Sequence, residues 1–230
     1  MSDDPGRLKR EAAEAAIEAE VRSGMVLGLG TGSTAMWLLE GLAARLASGA
    51  LADIVGVPTS EQTAVRCRDL GIPLASLEQR PALDLAIDGA DEIAPGIDLI
   101  KGLGGAHLRE KVVAASAARF VVVADDSKLV SRLGQRAPLP VEVIAFARPL
   151  CERLLRDAGW TPALRAAGGE PFVTDEGNHL VDCRRNDWSD PALLSAELHA
   201  MPGVVEHGLF LGMAAAAYVA TPDGVRVLAP

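Results

Sequence analysis

The fold is decided by the segment Met25-Val-Leu-Gly-Leu-Gly-Thr-Gly-Ser-Thr34. Its first three residues form a short apolar run that predicts a buried strand, and the glycines after it predict a tight turn. The next residues, 35–47, carry Trp37, Leu38 and Leu42 on one side of an expected helix. A strand, a glycine turn and a helix in this order are the start of an α/β sheet.

Strand and helix patterns alternate through the first 125 residues. Strands are predicted at 25–27, 54–57, 83–88 and 120–123, and helices at 8–22, 35–47, 106–118 and over a segment that ends at 70. Near-continuous apolar strands separated by helices are typical of a parallel sheet. The sequence therefore predicts an α/β fold with a Rossmann-like parallel sheet.

The pattern changes at 134–140, where Pro138 and Pro140 indicate a domain boundary. The segment beyond predicts the order β-α-β-β-α-β, which is typical of a ferredoxin-like α+β domain. Its elements are strands at 141–144, 163–165 and 204–206, a hairpin of 172–174 with 179–183, and helices from 149 and over 191–201. The tail, 214–228, predicts a hairpin that rejoins the first sheet. We therefore predict a Rossmann-like domain of residues 1–133 and 208–230 and a smaller ferredoxin-like domain of residues 134–207.

The composition excludes several classes of protein. Thirty-one acidic against 22 basic residues give a net charge of -9, which disfavours binding to nucleic acid. The three cysteines and four histidines show no metal-ligand spacing, so the sequence supports neither a zinc site nor a disulfide framework. The acidic start, residues 1–4, lacks the character of a signal peptide, and the longest uncharged apolar stretch, 208–222, is too short for a membrane span. We expect a cytoplasmic protein.

Ligands of open parallel sheets bind beyond the carboxyl ends of the strands, and the first such end is Gly28–Thr34. Backbone N–H groups and hydroxyls at a helix N-terminus favour an anion. No Lys-Ser/Thr pair follows the glycines, so this is not a Walker loop, and the dinucleotide fingerprint lacks its third glycine. A small phosphate site is favoured over a purely structural turn.

The second strand end carries Asp88-Gly-Ala-Asp-Glu92, three carboxylates in five residues. Such carboxylates repel one another unless cations, hydrogen bonds or protonation stabilise them. Three interpretations remain open here: a solvated acidic turn, a magnesium site, or a site for sugar hydroxyls and acid–base chemistry.

The third strand end runs from Lys101 to Lys111 through Gly102-Leu-Gly-Gly105 and Glu110. The chain has 18 arginines but only four lysines, and three of the four lie between 101 and 128. A lysine beside a carboxylate base suits proton abstraction next to a carbonyl group, because the ammonium stabilises the developing oxyanion. The alternative is that Glu110 is an ordinary acid on the helix surface. Lys128 follows a fourth strand end.

Taken together, these motifs resemble ribose-5-phosphate isomerase A. The resemblance covers nearly the whole chain in order. It rests on Gly28–Thr34, Asp88–Glu92, Lys101–Lys111, Ser127-Lys128, Pro138–Val143, Val173–Asn178, Pro202–Val205, Gly208–Phe210 and Thr221–Val225. It implies interconversion of ribose 5-phosphate and ribulose 5-phosphate through an enediol, in the non-oxidative pentose phosphate pathway.

The resemblance also implies roles for individual residues. Glu110 would move the proton between C1 and C2, Asp88 or Asp91 would assist ring opening, and Lys101 would sit near the reacting oxygens. The substrate would be lined by Thr31, Gly32, Ser33, Thr34, Asp88, Gly89, Ala90, Asp91, Lys101, Gly102, Leu103, Gly104 and Lys128. No cofactor is implied, and family members are usually homodimers, with tetramers also found.

Two residues depart from the family pattern. Leu103 stands where many members have glycine, and His107 stands at a position that is usually apolar. One helical turn separates His107 from Glu110, so the imidazole could tune the pKa of Glu110. Two rival functions are a catalytically silent sugar-phosphate sensor and a nicotinamide-dependent dehydrogenase. The net charge and the incomplete glycine fingerprint argue against them.

Overall fold

The computed structural model describes residues 5–230, so the acidic start at 1–4 lies outside the described part of the chain. The chain divides into two compact units. The first comprises residues up to 90, 109–128 and 212–230, and the second comprises 91–108 and 129–211.

The helices are Pro5–Glu20 (α1), Ser33–Ser48 (α2), Glu61–Asp69 (α3), His107–Ala115 (α4), Arg148–Asp157 (α5) and Pro191–His199 (α6). The strands are Val26–Leu29 (β1), Val55–Pro58 (β2), Leu85–Asp88 (β3), Glu92–Ile93 (β4), Leu99–Ile100 (β5), Phe120–Asp125 (β6), Leu139–Val143 (β7), Thr161–Leu164 (β8), Ala166–Ala167 (β9), Glu170–Pro171 (β10), His179–Arg184 (β11), Val204–His207 (β12), Leu209–Phe210 (β13), Ala216–Thr221 (β14) and Gly224–Leu228 (β15).

The first unit is built on a six-stranded sheet in the order β15-β14-β6-β3-β1-β2. All neighbours are parallel except β14 and β15, which form the antiparallel hairpin expected of the tail. The strands β3, β6 and β14 are buried along their whole length, as their apolar sequences require. The predicted Rossmann-like α/β fold is confirmed.

The core of the first unit forms where α1 packs against α2, β6 and β14. Four small or branched residues of α1 are fully buried in it: Ala12, Ala13, Ala16 and Ile17. Their spacing is that of one helix face, which explains why the charged remainder of α1 stays at the surface.

The second unit carries an antiparallel sheet in the order β12-β7-β11-β8. With α5 between β7 and β8 and α6 between β11 and β12, this is the ferredoxin-like arrangement expected from the sequence. Its core contains Trp160 and Trp188, whose rings meet edge to face with centroids 5.5 Å apart.

One local prediction for the second unit is wrong. No hairpin of 172–174 with 179–183 forms, because β11 pairs with β7 and β8. Only the single bridge between Val173 and His179 remains. The backbone N–H of Phe172 instead donates to the carbonyl of Arg165, so the chain before the turn is already paired elsewhere.

The second unit also contains a three-stranded sheet, β13-β5-β4, that the sequence patterns did not indicate. Its strands have two residues each, too short for a periodicity to be detected. This sheet places 91–108 with the second unit, whereas the predicted boundary assigned that segment to the first domain. The expected domain division stays a prediction.

Across residues 5–230, no helix combines the length and the apolar character that crossing a membrane requires.

In the first unit, the carboxylate of Glu20 connects α1 to β14 and to Arg119, the residue before β6. Glu20, at the end of α1, accepts two hydrogen bonds from Arg119 and one from the Tyr218 hydroxyl of β14, each at 2.8 Å. The Arg119 guanidinium lowers the pKa of Glu20. Burial and the bond to Glu20 raise the pKa of Tyr218 to about 12.

We expect Glu20→Gln to destabilise the protein by about 1 kcal/mol at pH 7, since it removes a charge-assisted network at a partly exposed site. A carboxyl group whose pKa is lowered by folding stabilises the protein above its unfolded pKa, so the difference should shrink as the pH falls below about 4.5. Thermal unfolding of the variant and the unaltered chain, at pH 7 and at a pH below about 4.5, measures the difference in stability. The exposed Glu18→Gln serves as the control, and a difference that grows in acid would contradict this account.

Candidate active site

The sheet of the first unit has a switch point between β1 and β3. Neighbouring β1 are β2 on one side and β3 on the other, and Leu29 pairs with Ile87 at their carboxyl ends. Ligands in parallel sheets bind at such a point. The glycine segment after β1 and the carboxylate of Asp88 leave the sheet here together.

Gly30 allows the two strand ends to approach closely. Its N–H donates to the carbonyl of Ile87 at 3.0 Å, and a Cβ at this position would lie 2.6 Å from the Cα of Asp88. The buried carboxylate of Asp88 accepts the N–H groups of Thr31 at 3.0 Å and Gly89 at 2.7 Å. Asp88 is therefore held rigidly by the backbone.

The sequence predicts a phosphate cradle at residues 31–34, the start of α2. Gly32 caps the helix with φ 102°, a conformation that favours glycine, and it has no side chain to bond the first N–H groups of the helix. The ammonium of Lys9, in α1, lies 3.0 Å from the hydroxyl of Ser33. A cation that the sequence motif did not include therefore lies beside the start of α2.

The side chain of Thr31 is committed to a cluster of hydroxyl groups. It lies 2.8 Å from the hydroxyls of Thr59 and Ser60 and 3.1 Å from that of Thr63. Ser60 also caps α3 by accepting the N–H of Thr63 at 3.1 Å. The Thr31 hydroxyl thus fixes the loop.

Glu110 lies in the first turn of α4 and is only 5% exposed. The interpretation of Glu110 as a surface acid is therefore wrong. Its neighbour Arg109 forms the surface ion pair, at 2.8 Å from Glu61. The positive end of the helix dipole favours a carboxylate at the position of Glu110.

Lys128 follows the end of β6, where Asp125 accepts hydrogen bonds from the backbone and hydroxyl of Ser127. The turn is thereby ordered, and Lys128 is partly exposed beyond it.

In the second unit, Lys101 begins an ordered glycine loop. Its side chain is buried, with the ammonium 5.5 Å from the centre of the Phe210 ring, and its N–H donates to the carbonyl of Gly208 at 2.9 Å. The N–H of Leu103 donates to the carboxylate of Asp91 at 2.9 Å. Asp91 and Lys101 thus belong to one local structure, and Leu103 takes part through its backbone.

Arg165 fixes the same loop from a neighbouring strand segment. Its guanidinium donates to the carbonyls of Gly102 and Leu103, each at 3.0 Å, and forms a two-pronged ion pair with Asp182. Sequence reasoning missed Arg165, because nothing near it in the chain marks it as different from the other arginines.

His107 packs against the glycine loop that follows Lys101. Its fully buried ring lies against Gly102 and 3.9 Å from the carboxylate of Glu142. Glu142 also accepts hydrogen bonds from Thr174 at 2.8 Å and Asn178 at 3.0 Å, and burial raises its pKa. The influence of His107 on the pKa of Glu110 stays a prediction.

The acidic segment that follows β3 is not a solvated turn. Asp88 and Glu92 are 3% and 0% exposed. Glu92 accepts the N–H groups of Gly134 at 2.6 Å and Ala137 at 2.7 Å through different oxygens. Its carboxylate is therefore used to hold 134–137, which weakens the interpretation of this segment as a magnesium site.

Comparison with known proteins identifies the chain. Residues 55–224 match the family model of ribose 5-phosphate isomerase A (phosphoriboisomerase A). The chain belongs to the ribose-5-phosphate isomerase A family. A ribose-5-phosphate isomerase A of Roseiflexus castenholzii is 62% identical over 223 residues, covering 96% of this chain and 95% of the relative. One of Deinococcus radiodurans is 49% identical over 221 residues, covering 96% and 97%.

Solved structures of the family show the same fold. The ribose 5-phosphate isomerase A of Methanocaldococcus jannaschii superposes with a TM-score of 0.94 at 38% identity, covering 99% of this chain and 100% of that one. The Plasmodium falciparum enzyme gives a TM-score of 0.94 at 39% identity, covering 98% and 99%. A D-ribose-5-phosphate isomerase in complex with phospho-erythronic acid gives 0.96 at 38% identity, covering 99% and 100%.

We expect Gly30→Ala to destabilise this isomerase fold by about 1–3 kcal/mol or more, because the added Cβ overlaps the backbone of Asp88. For a chain of this size, each kcal/mol lowers Tm by about 2–4 °C. Gly104→Ala is the matched control, since a Cβ there meets no atom within 4 Å. Equal melting temperatures for the two variants would show that the close approach is not required.

Proposed function

We propose that the protein interconverts D-ribose 5-phosphate and D-ribulose 5-phosphate by moving a proton between C1 and C2 through an enediolate. The observation that carries this proposal is the family match over 55–224, which includes Asp88, Asp91, Lys101, Glu110 and Lys128. Membership of this family makes the chain an isomerase of the pentose phosphate pathway.

Glu110 is the proposed base that moves the proton. A carboxylate that is nearly shielded from water suits this role, because burial strengthens its interaction with a substrate proton. Asp88 is the proposed group for ring opening, with Asp91 as the alternative. Rigid hydrogen bonds to one oxygen of Asp88 support its assignment.

Lys101 is proposed to stabilise the enediolate oxygen. Its placement over an aromatic ring, away from bulk water, strengthens the effect of its charge on a developing oxyanion. Carbonyl groups of its loop are fixed by Arg165, which supports a preorganised rather than a mobile site.

The phosphate group is proposed to bind at the start of α2. The N–H groups of 32–34, the hydroxyls of Ser33 and Thr34 and the ammonium groups of Lys9 and Lys128 provide the charge and the donors that a phosphate requires. Thr31 contributes by fixing the loop through its bonds to Asp88 and to the hydroxyl cluster. The remaining lining residues are proposed to be Gly89, Ala90, Gly102, Leu103 and Gly104. All steps use acid–base and electrostatic groups of the chain, so the proposal includes no cofactor.

We further propose that the enzyme is a cytoplasmic homodimer. Three buried cysteine thiols are compatible with a reducing compartment. Exposed apolar side chains in the second unit, with Phe146 96% exposed beside Ile144 and Leu150, favour self-association. Sedimentation equilibrium distinguishes a dimer from a monomer or a tetramer.

Glu110→Gln should lower kcat by about 10²–10⁴, the usual contribution of a general base. The measurement is ketose formation from ribose 5-phosphate, with and without EDTA. Glu18→Gln, at an exposed position of α1, is the control and should keep full activity. Near-full activity in Glu110→Gln would remove the residue from this role.

Lys101→Met should lower kcat by about 10²–10³ if the ammonium stabilises the oxyanion. Lys111→Met replaces another lysine of the same sequence motif, one that is partly exposed, and should change kcat little. A change confined to KM would mean that Lys101 only binds the substrate.

The assay of ketose formation distinguishes the isomerase from the sensor and the magnesium interpretation, and a titration with NADH tests the dehydrogenase. A well-folded protein without turnover would favour the phosphosugar sensor, and turnover that EDTA abolishes would restore the magnesium interpretation. An absorbance change on titration with NADH would favour the dehydrogenase.

A further inference from the structure

The second unit brings together three side chains with metal-binding atoms, His199, Glu206 and His207. One ligand atom from each lies within 4.8 Å of the others. The residues lie eight positions apart or less, yet they share no familiar ligand spacing. They meet because the chain turns back between the end of α6 and β12.

We propose that this cluster binds one divalent transition-metal ion, of which Zn²⁺ is the best match, and that the ion fastens the end of α6 to β12. Two imidazoles and one carboxylate are donors that zinc prefers, and water would complete the coordination. Magnesium and calcium select oxygen donors and fit this set poorly.

The distances are close to those of a tetrahedral site. With zinc–ligand bonds of about 2.0–2.1 Å, ligand atoms lie about 3.3 Å apart. Nε2 of His199 lies 2.9 Å from Oε1 of Glu206, and Nδ1 of His207 lies 3.9 Å from the same oxygen. Shifts below 1 Å would equalise these separations.

The surrounding hydrogen bonds orient the ring of His207. Nε2 of His207 lies 3.1 Å from the hydroxyl of Ser195, and Nδ1 accepts the N–H of Leu209 at 3.3 Å. The proton is therefore assigned to Nε2, and the lone pair of Nδ1, which lies 3.9 Å from Oε1 of Glu206, is held by the N–H of Leu209. A zinc ion at Nδ1 would have to replace that hydrogen bond. Metal-binding histidines generally donate their second ring N–H to an oxygen in this way.

His199 is the ligand through which an ion can enter the cluster and whose ring can move to bind it. Its side chain is 47% exposed at the end of α6, whereas His207 is fully buried. The two rings face each other with centroids 4.3 Å apart and planes at 37°. A rotation of the exposed ring can therefore aim its nitrogen at the ion, and the bond from Leu209 is long enough to yield to a metal bond.

The test uses the untagged full chain and Zn²⁺ alone, titrated by calorimetry. We expect one equivalent to bind and to raise Tm, because the ion binds the folded state. His199→Gln and Glu206→Gln should each weaken binding more than about tenfold, and Ser195→Ala by about tenfold through loss of ring orientation. The matched control is His179→Gln in β11, which removes a histidine outside the cluster and should bind zinc normally.

Several results would overturn the proposal. They are the absence of saturable binding tighter than a Kd of about 1 mM, binding that survives both His199→Gln and Glu206→Gln, and binding that is lost equally in His179→Gln. Displacement of the zinc by an excess of Mg²⁺ would also contradict a site selective for nitrogen donors. The cluster contains none of the proposed catalytic groups, so these variants should turn over ribose 5-phosphate at the rate of the unaltered chain. Zinc binding by calorimetry is read without that assay, so failure of the isomerase proposal would leave the test of the metal site intact.

Discussion

The close approach of Gly30 to Asp88 is the constraint on which the site depends. It sets the register of β1 against β3 at their carboxyl ends, and it directs two backbone N–H groups at one buried carboxylate oxygen. From that point the chain continues through Gly32 into α2, where the helix N-terminus presents donors to an anion. Any side chain at position 30 would push the two strand ends apart, so the proposed phosphate cradle and ring-opening group depend on the same missing Cβ.

Buried carboxylates recur in this molecule, and each is stabilised by different partners. Glu92 holds backbone N–H groups of 134–137, whereas Glu142 accepts hydrogen bonds from Thr174 and Asn178 and faces an imidazole. Burial without a full positive charge raises the pKa of Glu142, so ionising this group weakens the fold as the pH rises toward that pKa. Buried acidic residues can therefore differ in role, and their hydrogen-bond partners distinguish a structural carboxylate from a reactive one.

Much of this arrangement could be predicted from the sequence. The near-continuous apolar runs and the glycine turns predicted the parallel sheet, because both signals are local in the sequence. The strands β4, β5 and β13 could not be predicted, since two residues are too few to show a periodicity and the partner of β13, β5, is far away in the sequence. Lys9 and Arg165 were missed for a related reason: Lys9 reaches the cradle from 24 residues away and Arg165 reaches its loop across 63. Lysine is rare in this chain, and that rarity could have drawn attention to Lys9. Arg165 is one of 18 arginines, and nothing in the sequence distinguishes it from the others.

The position of β14 has a consequence for how the chain folds during synthesis. This strand is made last but one, and it lies inside the sheet between β6 and β15. The ferredoxin-like sheet, by contrast, is complete once residue 207 has been made. Until residues 216–221 emerge from the ribosome, the apolar edge of β6 has no strand beside it, and such edges promote aggregation. The sheet of the first unit is therefore completed after the ferredoxin-like sheet, although its first strand, β1, is made before any strand of the second unit.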